Sequence, residues 1–157
     1  MKKAGIAAAA GAVVLSMALA GCGGGSSKAV SYNDGTYEGK SEVHESLDES
    51  GEDTGNGYGV VSITIKDGVI TDCKFDTYEP DGTYKDDKYG MKEGAVANRD
   101  YYNKAQKAVA ANPEYAAKLV AVGNPDGVDV ISGATISHSE FVEAAWAALD
   151  QAAAAAK

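Results

Sequence analysis

Val60-Val61-Ser62-Ile63-Thr64-Ile65-Lys66-Asp67-Gly68-Val69-Ile70-Thr71-Asp72-Cys73-Lys74-Phe75 is the stretch on which the fold turns. Its two halves are rich in β-branched side chains, and Asp67-Gly68 stands between them. Asp-Gly accepts the positive φ of a tight hairpin turn, so the stretch predicts two antiparallel strands. A strict two-residue turn would set Ile63 opposite Asp72 and Val61 opposite Lys74, mixing apolar and polar faces. One extra residue on one strand repairs the alternation, so a bulge or a longer loop is expected.

Upstream, Asp34-Gly35-Thr36-Tyr37-Glu38-Gly39 reads as a turn feeding a strand that runs toward Val43. Residues 44–57 are acidic, Gly-rich and poor in apolar anchors, which predicts an exposed loop. Its carboxylates lack the spacing of an EF-hand. Downstream, residues 77–92 are polar, with Pro80-Asp81-Gly82 as a turn. The Ala-rich residues 93–111 predict a helix with Tyr102, Ala105 and Val109 on its buried side. Asn112-Pro113 is expected to stop it, and a second, shorter helix over 113–122 would start with Pro in its first turn. Residues 123–127 form a loop and 128–131 a short apolar strand. Ser137 and Glu140 have the spacing of a capping box at the start of a last helix. In that helix Phe141, Val142, Ala145, Trp146 and Leu149 make an apolar stripe. The expected fold class is α+β: an antiparallel sheet with a β-hairpin, covered by helices, in one small domain over residues 33–151. Residues 152–157 are an Ala-rich tail, read as fraying helix.

The amino terminus reads as an address. Lys2 and Lys3 precede a short, Ala-rich apolar run that ends in Leu19-Ala20-Gly21-Cys22. This pattern predicts a lipoprotein signal peptide over residues 1–21, with Cys22 as the lipidated first residue of the mature chain. Gly23-Gly24-Gly25-Ser26-Ser27 follow the lipidated Cys22, so residues 22–32 are expected to form a flexible tether. The expected location is the outer face of the cell membrane, held by a lipid anchor.

The chain has 157 residues, 14 basic and 23 acidic, for a net charge of -9. Loss of Lys2 and Lys3 makes the mature chain more acidic still. Such a surface repels phosphate backbones and argues against nucleic acid as a partner. With Cys22 lipidated, Cys73 stands alone and no intramolecular disulfide is available. Cys73 reads as a buried apolar residue of a strand before a reactive thiol. Two histidines and no haem-attachment motif leave no metal site to propose.

The informative segment is Asp129-Val130-Ile131-Ser132-Gly133-Ala134-Thr135-Ile136-Ser137. Small residues let a bulky group approach the backbone. A hydroxyl follows, and a helix start supplies unpaired N–H groups that suit a phosphate. By themselves these features fit a tight strand-to-helix connection equally well. The segment resembles the flavinylation motif of the FMN-binding domain family, whose pattern is Asp, two variable positions, Ser or Thr, Gly, Ala, then Thr or Ser. Asp129, Ser132, Gly133, Ala134 and Thr135 match it. The hairpin around Ile65-Lys66-Asp67-Gly68 and the Asp34-Gly35-Thr36-Tyr37 turn are similar to that domain too. Val130 departs, since a small residue is frequent there.

The resemblance implies FMN on Thr135 Oγ1 through a phosphoester. A flavin transferase would install it after export from FAD with magnesium. Asp129 would assist the transfer, and Ser132, Gly133 and Ala134 would leave room for the transferase and the phosphate. Ser137 and neighbouring amides would hold the phosphate afterward. It also implies an electron-transfer flavoprotein rather than an enzyme with its own substrate site, and no residue is assigned a catalytic role. Electrons would come from a membrane quinone or NADH dehydrogenase and leave to an extracellular acceptor or reductase. Tyr58, Tyr89 and Trp146 are read as packing residues before ring contacts. His138, beside the motif, and His44 are read as surface residues before proton donors. The competing expectation is a non-redox surface lipoprotein, or a module binding FMN noncovalently, that reuses the fold.

Overall fold

The computed structural model describes residues 31–45 and 55–154. The signal peptide, Cys22, most of the tether, residues 46–54 of the acidic loop and residues 155–157 lie outside this range. The elements run β1 (Gly35–Lys40), β2 (Tyr58–Lys66), β3 (Val69–Tyr78), α1 (Arg99–Val122), a 3-10 turn at Pro125–Gly127, and α2 (Thr135–Ala154). The three strands are antiparallel in the order β1-β2-β3, and both helices pack on one face. This is the expected α+β arrangement.

The hairpin turn has two residues, with Asp67 at φ 53 and Gly68 at φ 73, both left-handed as such a turn needs. Lys66 pairs with Val69 and Ile65 with Ile70, but Thr64 pairs with Asp72. Thr71 is therefore the extra residue, and the expected bulge sits there. Beyond it Ile63 faces Cys73 and Val61 faces Phe75, so the apolar side chains share the helix-covered face.

Three expectations are corrected. Residues 93–98 are not helical: Glu93 and Gly94 have positive φ, and the Asn98 side chain caps α1 by accepting from the Tyr101 amide. Asn112-Pro113 does not divide the helix either, since α1 is continuous over 24 residues. Its buried residues Ala105, Ala111, Asn112, Tyr115, Ala116 and Leu119 form one stripe across the proline. Pro113 itself is exposed, so its ring meets solvent while burial on the other side holds both halves in line. Residues 128–131 are extended but not a strand. Side chains take their backbone groups: the Ile131 N–H donates to the Tyr115 hydroxyl at 3.0 Å, and the Val128 carbonyl bonds His138 Nε2 at 2.6 Å.

Helix α2 lies against β1 and β2. A Cβ on Gly39 would run into the Ala144 carbonyl and the Ala148 amide, and one on Gly59 would meet Phe75 at 2.6 Å. Glycines on the strands and alanines on the helix thus let two backbones touch, and Ala144, Ala148 and Ala152 are fully buried. The core is completed by Phe75, Tyr115 and Phe141, with ring centroids 5.1–6.4 Å apart. At the far end the Asn33 amide donates to the Ala152 carbonyl, so α2 is held through that residue. This close seating fixes where the first turn of α2 stands.

Candidate functional site

The first turn of α2 begins at Thr135, three residues before the His138 start that a Ser137 cap requires. The capping box is therefore corrected: Ser137 and Glu140 lie inside the helix and both are buried. The Ala134 carbonyl accepts the first helical bond, from the His138 amide at 3.0 Å. The amides of Thr135, Ile136 and Ser137 precede it and have no intrahelical acceptor.

The turn ahead of Thr135 is held from within. Gly133 has φ 85, in the region that favours glycine. A Cβ there would also press on the Lys107 side chain at 3.1 Å. Ala134 is buried, and its carbonyl accepts a second hydrogen bond from the Tyr115 hydroxyl at 2.9 Å. That hydroxyl is the same one that takes the Ile131 amide, so Tyr115 closes the turn from both sides. Burial pushes the Tyr115 phenol up, which keeps its proton on and available to Ala134.

Thr135 is exposed and stands at the mouth of a cleft of about 590 Å³ between α1 and α2. Gly133, Ala134, Thr135 and Ser137 line it, and so do Lys85, Tyr89, Tyr101 and Lys104 from outside the motif. The volume suits a ligand of flavin size. Lysines 104 and 107 lie three apart on one face of α1, and Lys107 abuts Gly133. Cations, helix amides and a glycine cradle are the donors an organic phosphate needs. The residues present therefore fit an organic phosphate of flavin size.

Asp129 and Ser132 are exposed and lie outside the lining of the cleft. His138 is half-buried, and its Nε2 donates to the Val128 carbonyl, so it braces the turn. Of the aromatic candidates, Tyr89 lines the cleft. Tyr58 stacks on Tyr78 at 5.3 Å, and Trp146 Nε1 donates to Asp126 at 2.9 Å, both away from the lining. His44 Nε2 pairs with Glu143 at 3.4 Å.

Sequence reasoning missed Lys85, Lys104, Lys107 and Tyr115. The lysine pair had a signal in its three-residue spacing on a helix. Lys85 had none, lying in a polar segment, yet its side chain is only 5% exposed and points at a wholly buried Glu140 at 4.0 Å. Burial raises the Glu140 carboxyl to about 6, against the opposing pull of Lys85 and His44. Among the described residues no three His, Cys, Asp or Glu converge as metal ligands, and no helix is long and apolar enough to cross a membrane.

The FMN-binding domain family matches residues 55–150, more than half of the chain. A crystal structure of the CPE2226 protein from Clostridium perfringens is similar at 22% identity, covering 79% of this chain and 91% of that one with a TM-score of 0.55. That likeness shows the fold. A solution structure from Clostridium thermocellum aligns at 26% identity over 76% of this chain and 91% of that one, with a TM-score of 0.36. No curated protein matches the chain.

Proposed function

We propose, from the premise that this chain belongs to the FMN-binding domain family, that it is a lipid-anchored electron carrier bearing FMN on Thr135 through a phosphoester. Membership supports FMN as the ligand. The observation that carries the covalent reading is the place of Thr135: an exposed hydroxyl at the first residue of α2, over a cleft with lysines on its wall. A hydroxyl there reaches an incoming diphosphate without moving the fold, and the turn behind it is clamped.

In this reading Lys104, Lys107 and the free amides of the first turn hold the phosphate. Gly133 lets it lie close to the backbone. Tyr89 and Tyr101 offer ring faces, and Lys85 sets a positive charge at the inner end. The flavin supplies the redox chemistry when bound, and the chain orients it and tunes its surroundings. Asp129, exposed upstream of the turn, is placed for a transferase to use rather than for the finished site. A flavin transferase loads the chain after export. Electrons enter from a membrane quinone or NADH dehydrogenase and leave to an extracellular acceptor or reductase. Lipidation at Cys22 keeps the domain at the membrane's outer face.

The test is intact mass on residues 22–157 with Cys22→Ser, exported alongside a flavin transferase proven on another substrate. The expected gain is FMN minus water, lost in Thr135→Ala and kept in Thr135→Ser. No gain in the parent protein would sink the covalent reading and leave noncovalent FMN or a non-redox surface role.

A further inference from the structure

Strand β3 ends the sheet, and among the described residues no strand lies along its outer edge. Tyr84 bridges that edge at Tyr78, and the Lys85 amide donates to the Thr77 carbonyl at 2.9 Å. Thr77 therefore faces outward, and alternation turns the N–H and C=O of Phe75 and Cys73 the same way. Beside the edge, toward α1, runs a groove of about 560 Å³. Cys73 and Phe75 line one side of it, and Val109, Pro113, Ala117 and Val120 the other. Asn112 lies in its lining at 4% exposure. The Asn112 Nδ2 donates to Thr77 Oγ1 at 3.0 Å, and among the described residues its Oδ1 has no hydrogen-bond partner. Pro113 also has no N–H to give the Val109 carbonyl, four residues before it in α1. Two acceptors and an open strand edge call for an occupant that donates and accepts along its length, as an extended chain does.

The amino-terminal segment of this chain ends at the head of that edge. The Gly68 amide donates to the Asp34 carboxylate at 3.1 Å, and a Cβ on Gly68 would lie 3.9 Å from the Tyr32 carbonyl oxygen. Gly68 immediately precedes β3, whose first residue, Val69, is 62% exposed. At about 3.3 Å per residue, residues 23–31 reach about 30 Å, and the edge from Val69 to Asp76 needs about 26 Å. A segment running to Tyr32 along this edge is antiparallel to β3, the sense of the rest of the sheet. Its residues Ser26, Ser27, Ala29 and Ser31 are small enough for a groove walled by Ala, Val and Pro, and the hydroxyls can donate to Asn112 Oδ1. Lys28 is the sole cation between Cys22 and Lys40. It lies four residues back from Tyr32, and exposed Asp72 lies four on from Gly68. A second copy suits the edge less well, because the Thr71 bulge and Lys74 at its centre oppose symmetric pairing.

We propose that residues 26–31 add to the outer edge of β3 as a fourth, antiparallel strand of the same chain, with Gly23-Gly24-Gly25 left as the link to Cys22. Docking changes which end of the domain the amino terminus leaves from. Tyr32 stands at the hairpin end, where the Asn33 amide bonds the Ala152 carbonyl near the end of α2. Thr135 begins α2 at the other end, where Thr77 of β3 lines its cleft. The docked segment carries Cys22 along β3 toward the cleft, so a lipid there and the candidate site share one end of the domain. The docking itself needs neither lipid nor flavin; this consequence rests on the function proposed above.

The test uses residues 22–157 with Cys22→Ser and no flavin, so it is independent of the mass gain at Thr135. Amide hydrogen exchange is read by NMR at Cys73 and Phe75, with Lys74, which faces β2, as the internal reference. Both amides should exchange slowly, at one rate over a roughly tenfold range of protein concentration. Ser27→Pro with Ala29→Pro removes two backbone donors and should speed both by about tenfold or more, leaving Lys74 unchanged. Lys28→Glu should speed them less, and Lys28→Glu with Asp72→Lys should restore the native rate. Fast exchange in the native sequence, or slow exchange that the proline pair does not move, overturns the inference. Protection that grows with protein concentration assigns the edge to a second copy and overturns it too. None of these results bears on whether Thr135 carries FMN.

Discussion

Replacing Tyr115 by Phe removes one oxygen and tests whether the turn before Thr135 is clamped from inside. The Tyr115 hydroxyl donates to the Ala134 carbonyl at 2.9 Å and accepts from the Ile131 amide at 3.0 Å. The ring keeps its stack on Phe141, at 5.5 Å between centroids, so apolar packing survives the change. Ala134 retains its bond from the His138 amide, whereas the Ile131 amide loses its partner. Two lost hydrogen bonds and one unsatisfied, half-buried donor give a cost of about 2–4 kcal/mol. Urea unfolding is the assay, and the midpoint should fall at unchanged m. Hydrogen exchange at the Ile131 amide should quicken by at least tenfold, and FMN loading by a transferase should slow. Tyr102→Phe is the control, because its hydroxyl bonds the Asp87 carbonyl at 2.9 Å on the surface. A Tyr115→Phe cost below about 0.5 kcal/mol, or one equal to the Tyr102 control, would refute the clamp.

Other outcomes follow from the same contacts. Glu140 is raised to about 6 in the fold, above the ordinary carboxyl near 4.3, so the native state holds the proton more tightly than the unfolded chain. The stability this gives is full below about pH 4.3 and is lost as pH rises through about 6, a loss of about 2 kcal/mol. Relative to Glu140→Gln, the native protein should weaken by that amount between pH 4 and 7.5 in urea titrations; parallel curves would remove the effect. The Cys73 thiol is pushed up to about 12 by burial first and Asp72 second. Its alkylation at pH 8 should be roughly a thousandfold slower than that of the unfolded chain, and comparable rates would show an open thiol. Gly39→Ala forces a methyl into the α2 backbone and should cost about 3 kcal/mol, read as a lower thermal midpoint. A neutral result there would mean that α2 rides higher on the sheet.

The hairpin was legible because its evidence is local. Asp67-Gly68 carries its own φ preference, and the clash of Ile63 with Asp72 announced a bulge before its position was visible. Only the contact of Thr71 with the rest of the sheet could place it. The misreadings came where a side chain did what a backbone usually does. Residues 128–131 look like a strand, but Tyr115 and His138 take their hydrogen bonds instead. Ser137 and Glu140 have capping spacing, yet the carbonyl of Ala134 starts the helix and burial claims both side chains. Proline at 113 is an exposed interruption that one continuous buried stripe overrides. In the site, the motif residues Gly133, Ala134, Thr135 and Ser137 were readable as a segment. The lysines that join them come from elsewhere in the chain, and nothing along the sequence ties position 85 to position 140.

The electrostatic plan and the packing plan meet at one point. The chain carries a net charge of -9, so most of its surface turns away anionic ligands. Lys85 and Lys104 line the cleft, and Lys107 abuts the glycine at its mouth. A flavin nucleotide is anionic, and in a surface field that repels it elsewhere, this patch is where approach costs least. The same end of α2 is held in place, because Gly59 lets the helix sit close at Glu140, Gly39 seats its middle on the sheet, and Tyr115 ties down the turn before it. If Thr135 carries the flavin as proposed, the attachment point is set in a turn that Tyr115 holds from inside and that the seating of α2 on the sheet fixes from below. An electron carrier of that kind would need this, since a cofactor keeps its potential only where its surroundings do not change.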